Sequence, residues 1–337
     1  MTKRSRQLLV TCALFAVICA NSASACELCA IYGADNALGN SSSGFLFTLS
    51  EQYISAHSLQ AEGEAFSTVP FLSEAHLDSS YTHFVPGYNF SSRVGVSLNV
   101  PLVYRDFRRT ELTTTGGSVD EKGTLFGLGD AALIGRFNLI QNISMTHSIN
   151  VALLAGIKFP TGDTEQLDDE IDSAKIDQEI FGKNHPHGSI AGVHQHDLSL
   201  GSGSYDGVFG LVSTFRYQRW FFNNQLQYYL RTEAHDYEFG DLIIVSGGPG
   251  GYLLLKGKWT LSLQASAFYE SAARDRILGQ IFNQTGMTAW YLGPLFNLTY
   301  GEHFSVNAGV DVPLHIYNHG LQTVPDYRVR GGVSWRF

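Results

Sequence analysis

From Gly44 to the last residue, apolar and polar side chains exchange at every second position, in blocks of roughly a dozen residues separated by turn-rich gaps. In the block 303–317, Phe304, Val306, Ala308, Val310, Val312, Leu314 and Ile316 share one face. Ser305, Asn307, Gly309, Asp311, Pro313, His315 and Tyr317 share the other. The last block repeats the pattern, with Tyr327, Val329, Gly331, Val333, Trp335 and Phe337 alternating with Arg328, Arg330, Gly332, Ser334 and Arg336. Soluble sandwiches alternate too, but their strands are shorter, near five or six residues. Blocks of this length suit tilted strands that cross a bilayer.

Twelve blocks follow one another, near 44–57, 73–86, 92–107, 127–140, 147–161, 204–217, 220–235, 241–255, 258–272, 286–300, 303–317 and 326–337. The number is even, as a closed bacterial barrel with both termini in the periplasm requires. The gaps near 87–91, 141–146, 218–219, 256–257 and 301–302 are short, and those near 58–72, 108–126, 162–203, 236–240, 273–285 and 318–325 are mostly longer. Short and long gaps alternate, as periplasmic turns and external loops should. The sequence therefore predicts an all-β fold, a transmembrane antiparallel up-and-down barrel of about 12 strands over 44–337, monomeric and embedded in outer-membrane lipid. The terminal Trp335-Arg336-Phe337 resembles the C-terminal signal read by the outer-membrane assembly machinery.

Residues 1–25 read as a secretory signal peptide. Lys3, Arg4 and Arg6 make its positive start, Leu8 to Ala20 its apolar stretch, and Ala23-Ser24-Ala25 its cleavage site. Cys12 and Cys19 leave with it. A lipoprotein reading would acylate Cys26, although Ala23 stands where such signals usually carry Leu. No later stretch of 18 apolar residues offers a membrane helix. Without the three leader bases the chain holds 19 bases against 31 acids, a net charge of −12. That balance excludes nucleic acid as a partner, since no basic patch replaces phosphate counterions.

With the apolar face turned to lipid, Glu74, His76, Asp78, Arg93, Arg105, Asp130, Arg136, Lys158, Asp206, Arg216, Arg231, Glu270, Asp311, His315, Arg328, Arg330 and Arg336 alternate into the lumen. With both signs present, ion pairs that stiffen the barrel are favoured over a charged, selective pore. At about twelve strands the bore is wider than in a filled eight-strander and narrower than in a general porin.

The longest loop, 162–203, carries the acids Asp163, Glu165, Asp168, Asp169, Glu170, Asp172, Asp177, Glu179 and Asp197 against Lys175 and Lys183. Its string HPHGSIAGVHQH holds His185, His187, His194 and His196. Two His-x-His pairs joined by a turn, with Asp197 beside them, make a candidate site for zinc, copper or nickel, for which imidazole is a preferred ligand. A polar loop whose histidines never converge is the competing reading. No cofactor is required in either. Leu167, Ile171, Ala174, Ile180 and Phe181 recur at near-helical spacing, which predicts a short helix folding inward as a constriction.

The tail 26–43 opens with Cys26-Glu27-Leu28-Cys29, a candidate disulfide, redox pair or half of a metal site facing a periplasmic partner. Ala30 stands where c-type haem attachment needs histidine, and no second pair completes a four-cysteine zinc site. Three methionines argue against a thioether copper(I) carrier. Catalysis is not expected. No G-x-S-x-G elbow occurs, His83 falls on the lipid face, and His76 beside Asp78 lacks a nucleophile.

Three strings carry a family resemblance: Gly127-Leu128-Gly129-Asp130, Lys158-Phe159-Pro160-Thr161-Gly162-Asp163 and Leu200-Gly201-Ser202-Gly203-Ser204-Tyr205-Asp206. With Asn99-Val100-Pro101 and the terminal Phe337, they resemble the outer-membrane barrel family named for meta-pathway phenol degradation, a group of transporters. The resemblance implies a channel-like barrel passing small aromatic or other apolar solutes. The Cys-x-x-Cys tail and the acidic, histidine-rich loop depart from that pattern. The expected function is an outer-membrane channel for small solutes, by passive diffusion. The alternatives are a metal-linked barrel whose loop binds or admits divalent cations, and a scaffold for a periplasmic redox partner held through Cys26 and Cys29.

Overall fold

The structure, a computed structural model, describes residues 43–66, 74–112, 118–182 and 192–337. Residues 1–25, read above as a signal peptide, the Cys26–Cys29 tail and His185 and His187 lie outside the described residues. The wall is a closed antiparallel barrel of 12 strands. Its elements are β1 (Gly44–Ala61), β2 (His76–Asn89), β3 (Val94–Leu112), β4 (Ser118–Leu128), β5 (Ala132–Ile143) and β6 (His147–Lys158). Two helices follow, α1 (Glu165–Phe181) and α2 (Gln195–Leu198), then β7 (Asp206–Tyr217) and β8 (Trp220–Leu230). The chain continues with β9 (Tyr237–Glu238), β10 (Leu242–Lys256), β11 (Trp259–Ala272), β12 (Arg276–Ile277) and β13 (Gln280–Ile281). It ends with β14 (Met287–Tyr300), β15 (Phe304–Asn318) and β16 (Leu321–Arg336). β4 and β5 are two halves of one wall strand. β9, β12 and β13 form a small separate sheet. The barrel closes where β1 pairs with β16, Leu46 opposite Arg336 and Ser55 opposite Tyr327.

Alternation builds this wall as the period-two rule requires. On β1, Leu46, Thr48, Ser50, Gln52 and Ile54 are buried inside while Phe45, Phe47 and Leu49 are exposed outside. Aromatic side chains gather in two belts. One lies at the rim with both wall ends and short turns (Phe45–Tyr88, Trp259–Tyr300, Phe304–Trp335), the other toward the loop rim (Tyr53–Tyr327, Tyr269–Trp290). Such belts mark the two interfaces of a bilayer.

Two strands depart from the predicted phase. On β2 the inward residues are Ser79, Tyr81, His83 and Val85, all buried. His83 therefore points inside, where its Nδ1 lies 3.1 Å from Asn99 Oδ1, rather than to lipid. His76 and Asp78 consequently stand on the outer face, where the ring of His57 stacks on His76 at 5.1 Å and its Nε2 lies 3.0 Å from Asp78 Oδ1. Polarity misleads there because the strand has risen past the apolar belt: its outer face is wet, and its inner face is covered by loop residues. On β15 a bulge falls between the pairs Trp290–His315 and Tyr291–Pro313. An extra residue inverts the remaining alternation. His315 is exposed outside and Ile316 is buried inside, the reverse of the predicted faces. Arg93 is exposed beside the short turn that leads into β3, and Glu74 is exposed in an ion pair with Arg108.

Candidate functional site

The wall strand made of β4 and β5 is interrupted at Gly129-Asp130-Ala131, and the whole site is organised around that break. β5 pairs with β3 on one side and β6 on the other, ending at Ala132 opposite Lys158. β4 continues past the end of β6, pairs with β3 from Leu128 to Ser118, and has no second partner strand among the described residues. Pro101, which lacks an N–H, lies on β3 at the junction, and its carbonyl accepts from Gly129 at 2.9 Å. Thr161 patches the gap, its hydroxyl accepting from Ala131 N and donating to Gly129 O, both at 2.8 Å.

The three motif strings meet inside this break. Lys158 donates to Asp130 at 2.8 Å and lies 2.8 Å from Asp206, which Arg231 also reaches at 3.1 Å. Asp130 accepts in addition from Ser202 N and Ser202 Oγ at 2.8 Å and from Gly162 N at 3.0 Å. Gly162 and Gly201 touch backbone to backbone, and a Cβ on either would come within 2.6–2.7 Å of the other. Both ends of the long loop are thereby pinned to one buried carboxylate, and Gly201 N donates to Asp163 O at 3.0 Å.

Between those ends the loop folds into the barrel mouth. α1 occupies the segment with helical spacing. Its Leu167, Ile171 and Ala174 are buried against Tyr237, Ile277 and Phe282 of the small sheet and its connections. α2 is locked to α1 by an ion pair: Glu170 accepts from His196 N at 2.6 Å and lies 3.0 Å from His196 Nδ1. His196 Nε2 lies 3.4 Å from Asp197, and the His194 and His196 rings stack at 5.3 Å. Asp275 accepts from Tyr237 Oη at 2.6 Å and Gly240 N at 2.7 Å, closing the cluster from the small sheet. Burial works against charge on Glu170, yet His196 outweighs it and holds the carboxyl at about 2. Burial likewise opposes charge on His196, yet Asp197 and Glu170 push it up to about 10. Burial, reinforced by the His196 charge, lowers His194. The pair is thus an imidazolium clasped by carboxylates, with His194 neutral beside it.

Of the predicted metal set, His194, His196 and Asp197 come together while His185 and His187 lie outside the described residues. The two rings are stacked and turned to carboxylates. Among the described residues no three His, Cys, Asp or Glu side chains stand in a metal-holding arrangement. Asp275 and Tyr237, which complete the cluster, carried no sequence signal because they come from two other loops.

The lumen beneath has two compartments. The upper one, about 170 Å³, lies under the plug and beside the break. Ile54, Tyr81 and Leu200 line it and pack with Val103 and with Leu125 of β4 behind them. Arg105 lines it too and donates to the Asp197 carbonyl. Its floor is a packed partition. The Arg328 guanidinium lies 4.0 Å from the Phe268 ring centre and 3.6 Å from that of Tyr291, and it donates to Glu270 at 3.0 Å. Arg330 grips Asp311 through both carboxylate oxygens at 2.9 and 3.0 Å. Ile134, Leu154, Val208, Ile244 and Ala289 fill the same level. Below lies a vestibule of about 380 Å³ open toward the turn rim, with Arg216 at its mouth. Arg136 donates to Asn89 at 2.7 Å near the same rim.

No family model matches the chain, and no curated protein matches it. Among solved structures it is similar to an outer membrane channel of Pseudomonas putida F1. The identity is 12%, with 88% of this chain and 96% of that one covered and a TM-score of 0.56. The toluene transporter TbuX of Ralstonia pickettii aligns at 10% identity over 87% of this chain and 90% of its own, with a TM-score of 0.36. The fold is that of outer-membrane β-barrels.

Proposed function

We propose that this chain is an outer-membrane channel that passes small apolar or aromatic solutes by passive diffusion, with its short turns and termini toward the periplasm. One observation carries the reading: a wall strand loses its second partner beside an apolar inner patch, directly above a packed partition. An axial path for water-borne solutes meets the plug and then the Arg328 and Arg330 layer. An apolar solute in the upper compartment instead meets Ile54, Tyr81 and Leu200, which pack on Val103 and Leu125 next to the gap at 129–131. Gradient-driven passage needs no more than such a surface, because apolar contact is non-directional and scales with area. No catalytic role is assigned to any residue.

Cells expressing the barrel should take up a radiolabelled aromatic hydrocarbon faster than cells lacking it. The double variant Leu125→Asp/Leu200→Asp should return uptake to background while the protein still folds as a heat-modifiable barrel. Unchanged uptake in that variant would sink the proposal. A large steady ion current through the folded 26–337 barrel, indifferent to the same variant, would make it a general aqueous pore instead.

A further inference from the structure

The vestibule below the partition plays no part in that reading, yet it is lined unlike the rest of the lumen. Its lining contains no Asp or Glu among the described residues, whereas Arg216 stands at its mouth and Arg330 at its roof. Arg330 is neutralised by Asp311. Among the described residues Arg216 is held only by neutral oxygens, at Ser144 O (2.8 Å), Ser148 Oγ (3.3 Å), Met145 O (3.4 Å) and Gln218 O (3.5 Å). The cavity therefore carries an uncompensated positive charge inside a chain that is acidic overall.

The walls add polar atoms of both kinds. Gln225 is only 5% exposed, and its Nε2 has no partner. The Oδ1 atoms of Asn223 and Asn297 are likewise buried and without partners. Asn223 spends its own Nδ2 on Gln264 at 3.4 Å, which fixes Oδ1 as the open acceptor. A buried donor or acceptor left without a partner is costly, and these atoms are shut off from the cavity, so a ligand that draws the amides round to meet it gains from each. Acceptors are needed for Arg216 and Gln225, and donors for Asn223 and Asn297. Chloride or sulfate offers no donors, hydrogen phosphate offers one O–H for two acceptors, and a neutral polyol offers no charge. We infer that the vestibule is a binding site for a small hydroxylated organic anion of the sugar-acid class, its carboxylate toward Arg216 and its hydroxyls on the asparagine and glutamine amides. The cavity, about 380 Å³, has room for such a molecule, which has roughly a dozen heavy atoms.

The inference goes beyond the channel reading and does not depend on it, because equilibrium binding needs no open path. Titration calorimetry on the folded barrel in a non-ionic detergent decides it, with sodium gluconate and sorbitol as probes. Gluconate should bind saturably and about tenfold or more tighter than sorbitol. Arg216→Gln should remove that preference, and Asn297→Asp, which keeps the side-chain shape but adds a negative charge, should weaken gluconate further. Equal binding of the two probes would overturn the anionic assignment. So would no binding of either, or gluconate affinity unchanged in both variants. Heat-modifiable folding of each variant separates these outcomes from misfolding, and failure here would leave hydrocarbon uptake untouched.

Discussion

The two halves of the lumen solve the same problem differently. In the loop half, two buried cations are each clasped by two carboxylates: Lys158 between Asp130 and Asp206, and His196 between Glu170 and Asp197. In the turn half, amides stand open around a guanidinium that has only neutral partners. Clasped charges rigidify and seal, whereas open polar groups bind water or a ligand. The loop half is therefore the closure of the barrel, and the turn half is its receptacle.

The largest expected effect that would break this contrast lies at Lys158. Lys158→Met leaves two buried carboxylates without their shared cation and should cost about 3–5 kcal/mol of barrel stability, read by urea unfolding in lipid vesicles. A loss no larger than that of a surface substitution would mean the hub does not hold the wall. Next is the seal itself. A Leu125→Cys probe, made with Cys26 and Cys29 replaced by Ser, should react slowly with a water-soluble maleimide in the intact barrel. Replacing 165–198 by a short Gly-Ser linker should accelerate labelling by about 100-fold, as expected when a locally stable cover is removed.

The same probe sharpens the role of the His196 clasp through pH. Glu170, depressed to about 2, contributes stability that is complete above its ordinary value of 4.5 and is lost as pH falls toward 2. His196, raised to about 10, contributes stability that is complete below its ordinary value of 6.5 and fades as pH rises toward 10. The plug should be tightest between pH 4.5 and 6.5. Above that window, Leu125→Cys labelling, taken as a ratio to a freely exposed reference cysteine so that the thiolate's own pH dependence cancels, should rise by at most about tenfold per pH unit, the limit for one linked proton. His196→Gln should label fast throughout and lose that slope. The smallest effects belong to two histidines whose predicted faces are exchanged. His83→Ala should cost about 1–2 kcal/mol because Asn99 loses a buried partner, while His315→Ala on the outside should fall within about 0.5 kcal/mol of no change.

Those histidines also show what sequence can and cannot disclose. Strand positions and connection lengths were legible because lipid imposes one rule along the whole apolar belt, and blocks such as Phe304 to Val312 obey it. Above the belt the rule lapses. Asp78, opposite Ser55 beyond the Tyr53 belt, is polar yet outside, while Tyr81, opposite Gln52 just within the belt, turns inward because Leu200 of the covering loop packs on it. The bulge at Leu314 left no local mark, since the residues on both sides keep alternating. The glycine-rich strings were legible as rim architecture, but not as one contact set around Asp130, because the alternation gives no hint that residues 162 and 201 touch. Half of the histidine cluster was visible in the string at 194–196. Its partners Tyr237 and Asp275 come from distant loops, and only the fold brings them near.

The backbone contact between Gly162 and Gly201 has a consequence for engineering. Because the long loop enters and leaves through one neck, held by Asp130 and by the Asp163 carbonyl, its two ends are as close as the ends of a hairpin. Everything between them is a cassette. A foreign segment whose ends are equally close can be inserted there without moving any wall strand, and the neck will set its orientation over the barrel mouth. Selecting variants with altered access to the lumen then becomes a matter of exchanging stoppers on a fixed bottle.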